Sequence, residues 1–363
     1  MKSENVKSMK IVQISSLWES TPPPKYGGLE LVASNLTEEL VAQGHDVVLF
    51  ATGDSVTKAE LKATYPRALY RDGVPWTSMY DTLTHVAEAV RFAKEWGADV
   101  IHNHLSHRSL STISLSEIPF INTIHGTLDK ELIPEDKLRA FEHFKDQNYV
   151  SISNFQRVHF PGLNWIANAY NGIQVESFTF EANPRGDYFL WVGRFTETKA
   201  PHLAIKYAKQ LGIKLVLAGK LDQQAPEDLK YFDETVKPLL QDGVAEWVGE
   251  VGHDEKAKLY KDASVLLNPI QWDEPFGLVS PEAMACGTPV VAYNRGSMAE
   301  IIEDGRTGFL VAPGDEKGFI EAIGRVRSID RSYCRKAVEE KFSVQAMTRS
   351  YLNAYNQALT RKL

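Results

Sequence analysis

Ser264-Val-Leu-Leu267, Glu274-Pro-Phe-Gly-Leu-Val-Ser-Pro-Glu282 and Pro289-Val-Val-Ala292 read in turn as strand, loop with helix, and strand. The outer pieces are short aliphatic runs, apolar at successive positions, as in strands covered on both faces. Between them, Ser280-Pro281 predicts a helix start, the serine as capping hydroxyl and the proline at the first helical position. Gly287 before Thr288-Pro289 predicts the end of that helix after about two turns. Glu282 then falls in the first helical turn and Glu274 in the loop ahead of it.

The same alternation extends in both directions. Upstream lie Tyr188-Phe-Leu-Trp-Val192, Lys214-Leu-Val-Leu-Ala218 and Glu246-Trp-Val248, with Leu203, Ala204, Tyr207, Ala208 and Leu211 at helical spacing between the first two. An earlier series comprises Lys10–Ser15, Asp46–Ala51, Asp99–His102, Pro119–Ile124 and Tyr149–Ser153. Helices are expected at 29–42, ended by Gly44, at Met79–Trp96 and at Asp136–Lys145. Short β-rich runs alternating with helices predict an α/β protein with mostly parallel sheets. We expect two facing Rossmann-like doubly wound domains, residues 1–172 and 173–342, with a ligand cleft at their boundary. Residues 343–363 carry Met347, Tyr351, Leu352 and Tyr355 on one helical face and are expected to pack back toward the first domain.

The chain has 363 residues, 43% hydrophobic and 24% charged, values of a water-soluble globular protein. Its net charge of −7 is spread over both halves, without the basic excess that nucleic acid or an anionic membrane attracts. Met1–Lys10 is polar and lacks the apolar core of a secretory signal, and no run approaches the roughly 20 apolar residues of a membrane span. Two cysteines, Cys286 and Cys334, fit a reducing compartment. The expected location is cytoplasmic, at most peripheral at a membrane.

Phe276-Gly277-Leu278 leads into a helix N-terminus, whose amides suit an anionic phosphate, and Gly277 allows close backbone approach. Two glutamates nearby suit hydroxyl-rich rings, since carboxylates accept hydroxyl hydrogen bonds well. A first-turn glutamate can also do no more than complement the helix dipole; the two acids with Phe-Gly-Leu and Ser-Pro in one run favour a ligand site.

The run from Glu274 to Ala292 resembles the donor-site signature of the family-4 glycosyltransferases, retaining enzymes of the GT-B fold. The resemblance extends to Pro22-Pro-Pro-Lys-Tyr-Gly-Gly-Leu-Glu30, Asp99-Val-Ile-His-Asn-His104, Thr123-Ile-His-Gly126, Ser151-Ile-Ser153, Asn171-Gly-Ile173, Val192-Gly-Arg194 with Lys199, and Asp304-Gly-Arg-Thr-Gly-Phe-Leu310. It implies that Glu274 meets donor-sugar hydroxyls and Glu282 the ribose, while Arg194 and Lys199 neutralise the diphosphate. It further implies backbone contacts from Gly27, Gly28, Val251, Phe276, Gly277 and Leu278, and places His125 at the reaction centre. Lys199 is followed by Ala200 where the family commonly has glycine, and Gln174 stands where aspartate is usual.

The implied reaction is retaining, metal-independent transfer of a hexose from a nucleoside diphosphate sugar, UDP-sugar before GDP-mannose, to a hydroxyl of a glycan, lipid or small molecule. No cofactor is expected; the nucleotide-sugar is a substrate. No Asp-x-Asp occurs, so the metal-chelating motif of the other major glycosyltransferase fold is missing. His102 and His104 share a strand face, yet no third metal ligand is spelled out by spacing. An acceptor pocket is expected around Trp18, Tyr80 and His107. Absence of Gly-x-Gly-x-x-Gly argues against an oxidoreductase. A sugar-nucleotide epimerase and a non-catalytic nucleotide-sugar binding protein remain as alternatives.

Overall fold

The computed structural model describes residues 8–25, 27–76 and 78–360, so Tyr26 of the glycine loop and the start of the polar N-terminus lie outside the described residues. The chain divides into two compact units, Met1–Gly172 with Val344–Leu363, and Ile173–Ser343.

In the first unit the described strands are β1 (Lys10–Ile14), β2 (Asp46–Ala51), β3 (Glu60–Ala63), β4 (Val100–Asn103), β5 (Phe120–Ile124), β6 (Tyr149–Ser151) and β7 (Trp165–Asn168). They form one parallel sheet in the order β3-β2-β1-β4-β5-β6-β7. The order reverses between β1 and β4, the switch point at which such sheets bind ligands. Val12, Ile14, Val48, Phe50 and Ile101 pack there with Val86, Ala89 and Ala93 of the Met79–Trp96 helix. The final helix, Val344–Thr360, belongs to this unit and buries Met347, Tyr351 and Tyr355 against it, in contact with the Gly28–Ala42 helix, β5 and β7.

The second unit repeats the plan with β8 (Tyr188–Val192), β9 (Lys214–Ala218), β10 (Ala245–Trp247), β11 (Val265–Asn268), β12 (Val290–Tyr293) and β13 (Gly308–Val311), all parallel, in the order β10-β9-β8-β11-β12-β13. Its switch point lies between β8 and β11. Leu190, Leu217, Leu266 and Val291 are buried in its sheet, as continuous aliphatic strands require.

Three strands escape the sequence reading: β3, β7 and β13. Each lies at a sheet edge, paired on one side only. β3, Glu-Leu-Lys-Ala, has no buried residue at all, so no hydrophobic pattern marks it. The helix after the acidic loop also differs from expectation. It runs Val279–Ala285 with Leu278 at the cap position, so Ser280 lies inside it and does not cap. Its first turn closes through Ser280 N to Gly277 O and Glu282 N to Leu278 O, and the Ser280 hydroxyl is buried against the Met298 sulfur. The backbone turn at Gly277 starts the helix earlier than the serine would.

Candidate active site

In the second unit, the loop after β8 carries Arg194 and Lys199, and the loop after β11 carries Glu274. These strands are neighbours across the switch point, so their carboxyl ends open side by side. Gln271 N donates to Thr198 O at 2.8 Å and ties the two loops together. Lys199 ends a short turn capped by Thr196, and its ammonium pairs with the Glu274 carboxylate and lies 5.2 Å from the Trp272 ring centre. Glu274 is 9% exposed, so the pair is largely shielded from water.

Two glycines shape the acidic loop. Gly277, at φ 83°, makes the left-handed turn into the Val279–Ala285 helix, which other residues adopt only at a cost. Gly296, at φ 60°, comes so close to the Glu274 backbone that a Cβ there would collide with it. Ser297 N donates to Glu274 O at 2.9 Å and completes the clamp. Phe276 is 2% exposed and packs edge-on against Phe342, so its side chain faces the core, and its carbonyl accepts from the Ser297 hydroxyl at 2.8 Å.

Glu282 is 1% exposed. Lys256 Nζ approaches its Oε1 at 2.7 Å, and the Tyr260 hydroxyl donates to its Oε2 at 3.0 Å. Lys256 and Tyr260 stand four residues apart on the His253–Asp262 helix and therefore share a face. Burial and the adjacent Glu282 push the Tyr260 phenol far up, so it remains a donor. Val251 lies in the loop after β10, just before that helix.

In the first unit, Gly27 precedes the Gly28–Ala42 helix after the loop from β1. A side chain at Gly27 would meet Pro23 and the Glu30 carboxylate, which is turned back over this helix start. His125 follows β5 directly, partly exposed, with its Nε2 2.9 Å from His104 Nδ1. Burial pushes its pKa down to about 4, so the ring is neutral at neutral pH. His102 has Thr123 and Tyr355 on its two ring nitrogens, and His104 has His125 and Gln13, so both are engaged in hydrogen bonds. That is a structural arrangement; the weak metal-pair reading of these two residues has no support in it.

Of the residues expected to shape an acceptor pocket, Trp18 donates its indole N–H to Val74 O, Tyr80 is 85% exposed, and His107 is half-buried. Lys137 was not singled out from sequence, where Glu135-Asp136-Lys137 looks like an ordinary charged helix start. Its ammonium donates to Thr127 O and lies beside Gly126, next to His125. Burial and nearby Arg108 lower its pKa to about 8. Lys256 and Tyr260 were missed too; only the four-residue spacing hinted at them.

The arrangement in the second unit can grip an anion through Arg194 and Lys199 and ring hydroxyls through two shielded carboxylates. The chain matches the model described as Glycosyltransferase Family 4 over residues 26–179, and that described as Glycosyl transferases group 1 over residues 173–341. A glycogen synthase of Mycobacterium tuberculosis is 27% identical, over 88% of this chain and 86% of that protein. Two solved structures share the fold. One is a sucrose-phosphate synthase of Thermosynechococcus elongatus, with TM-score 0.78, 21% identity and coverage of 96% and 98% of the two chains. The other is an Anabaena protein in complex with UDP and glucose, with TM-score 0.75, 18% identity and coverage of 96% and 99%. With two parallel doubly wound sheets, and family models spanning both units, the chain belongs to the family-4 glycosyltransferases of GT-B fold.

Proposed function

We propose that the protein moves a hexose from a nucleoside diphosphate sugar to an acceptor hydroxyl, with retention of anomeric configuration and without a metal ion. The observation that carries this reading is the Lys199–Glu274 pair, largely shielded from water, at the switch point of the second unit, on loops that follow β8 and β11. Arg194 and Lys199 meet the diphosphate, and Glu274 receives hydroxyls of the donor sugar. Glu282 has one partner on each oxygen and keeps lone pairs for the ribose hydroxyls. Backbone groups at Val251, Phe276, Gly277 and Leu278 complete the donor contacts. Because the Val279–Ala285 helix has only 7 residues, the two cations carry more of the phosphate attraction than its dipole does. In the first unit, Gly27, Gly28 and His125 are the residues that the family resemblance carries over.

In the reaction the bond from the anomeric carbon to the phosphate oxygen breaks as the acceptor oxygen bonds to the same face. The leaving phosphate oxygen takes the acceptor proton, so no side chain becomes a covalent nucleophile. Glu274 positions the sugar and stabilises developing positive charge. UDP-sugar is favoured over GDP-mannose as donor, in line with the UDP held by the Anabaena neighbour. The acceptor is a glycan, lipid or small molecule.

Thermal denaturation with UDP, GDP and ADP tests the donor site. A nucleotide at about 100 times its Kd adds roughly 2.7 kcal/mol to stability, enough for a clear rise in Tm. UDP should give the largest rise, and no rise with any of the three would sink the reading. Glu274→Ala should keep the UDP shift while losing turnover. The anomeric coupling in the product's proton spectrum should match that of the donor.

A further inference from the structure

His125 stands at one end of a row of side-chain hydrogen bonds that passes through the final helix. His125 Nε2 meets His104 Nδ1 at 2.9 Å, and His104 Nε2 meets Gln13 Oε1 at 2.7 Å. Gln13 Nε2 donates to the Tyr355 hydroxyl at 2.9 Å. That hydroxyl lies 2.8 Å from His102 Nδ1, and His102 Nε2 lies 2.7 Å from Thr123 Oγ1. Gln13, His102 and Thr123 sit on the adjacent strands β1, β4 and β5, all within the first unit. Gln13, His102, Thr123 and Tyr355 are fully buried, and His104 is 1% exposed.

The directions of these bonds are mutually dependent. Burial holds all three imidazoles neutral at neutral pH, so each ring has one N–H and one lone pair. The Gln13 amide oxygen can only accept, so His104 must carry its proton on Nε2. Its Nδ1 is then bare and must accept from His125 Nε2–H. On the other side, the Tyr355 hydroxyl accepts from Gln13 and passes its own proton to His102 Nδ1. His102 Nε2–H then donates to Thr123. Turning the Gln13 amide over would reverse every bond, so the row is one unit with two settings.

We propose that Gln13, His104 and Tyr355 are positioning residues that hold the His125 proton on Nε2, leaving Nδ1 as an acceptor for a substrate hydroxyl. This rests on the reading that His125 lies at the reaction centre. In this setting His125 suits a sugar or acceptor hydroxyl. It does not suit a phosphate oxygen, which needs a donor, nor the role of general acid to the leaving group.

The test uses full-length protein with 15N-labelled histidine rings and long-range proton–nitrogen spectra at pH 7. The His125 signals are identified by their loss in His125→Gln. The proton is expected on Nε2 with a bare Nδ1; a proton on Nδ1 in the wild-type protein would overturn the proposal. Gln13→Leu should release His125 into a mixture of tautomers and lower kcat about tenfold, the scale of one hydrogen bond, with donor KM little changed. Tyr355→Phe does not touch His125, yet it should give a second set of His125 signals by freeing the amide. Folded variants that both show the wild-type His125 signals would also overturn it. Full turnover in His125→Gln would instead sink the reaction-centre reading, a result separable from the position of the proton.

Discussion

Lys256 Nζ stands 2.7 Å from Glu282 Oε1, a cation set against a carboxylate that is itself 1% exposed. The pair is asymmetric, since the lysine side chain keeps 19% of its exposure while the glutamate keeps almost none. Removing the lysine therefore strands a buried charge, which costs more than the pair itself contributes. Lys256→Met should destabilise the protein by about 2 kcal/mol, below the 3–5 kcal/mol of a fully buried pair. It should also weaken nucleotide binding, because Glu282 loses its orientation. Tyr260→Phe removes one hydrogen bond to the same carboxylate and should cost about 1 kcal/mol. Urea denaturation and UDP titration of the two variants check this, and equal stability of Lys256→Met and wild type would refute it.

Arg194 and Lys199 differ in their surroundings, and the difference has consequences for kinetics. Lys199 is neutralised by Glu274 before any ligand arrives. Removing it also releases Glu274, so Lys199→Ala should lose both donor affinity and turnover. Arg194→Ala should lower turnover by about 10²–10³, the scale of one preorganised group facing developing charge. Initial rates over a range of donor concentrations, which separate kcat from donor KM, distinguish the two. On the proposed reading these cations take the role of a divalent ion, so a chelator such as EDTA should leave the wild-type rate unchanged. A rate abolished by EDTA and restored by magnesium would contradict that assignment.

The central strands were legible because burial on both faces forces continuous aliphatic runs, as in Val47–Phe50 or Val265–Leu267. The edge strands β3, β7 and β13 lacked that constraint, and β3, Glu-Leu-Lys-Ala, buries none of its residues. The acidic loop was legible because glycine, proline and glutamate lie within one short run. Its partners were not, since Lys256, Tyr260 and Gly296 reach it from other loops and helices. Gln13 and Tyr355 are 342 residues apart, and no local pattern joins them. The capping role expected of Ser280 failed because a serine before a proline reads the same whether it caps the helix or lies within its first turn.

Ala200 adopts φ 50°, ψ 50° at the start of the Pro201–Leu211 helix, in the left-handed region that favours glycine. The left-handed conformation costs a residue with a Cβ about 1–2 kcal/mol. The Ala200 methyl is fully buried, however, and removing it forfeits about 0.8 kcal/mol. Glycine's greater unfolded-state entropy takes roughly another 0.4–1 kcal/mol. These terms nearly cancel, so Ala200→Gly should shift stability by less than about 1 kcal/mol. Ala200→Val combines a β-branched side chain with this conformation in a filled site and should cost about 3 kcal/mol. Denaturant midpoints of the two variants check the contrast, and a tolerated valine would show that the turn is not held left-handed.

The first unit should be the acid-labile half of the molecule. Burial lowers the pKa of His85, His107 and His125 to about 4 and holds His102 and His104 well below their ordinary value. Unfolded, these rings take up protons near pH 6.5, whereas folded they resist protonation until much lower pH. Between those values the unfolded state binds more protons, so stability rises with pH. The contribution is complete above about 6.5 and is lost as pH falls toward 4, at up to about 1.4 kcal/mol per pH unit for the fully buried His85 and at less for the half-buried His107. In the second unit, His202 is the one histidine among the described residues with a resolved downward shift. Hydrogen exchange in urea at pH 7.5 and pH 5, read separately for peptides of each unit, should therefore show the first unit losing protection at the lower pH while the second holds. His85→Gln should flatten the pH dependence of the first unit by about one proton's slope, because His85 is fully buried between Ser15 O and Thr64 and titrates apart from the His104–His125 row. Earlier loss of protection in the second unit would show that carboxylates, not buried histidines, set the acid limit.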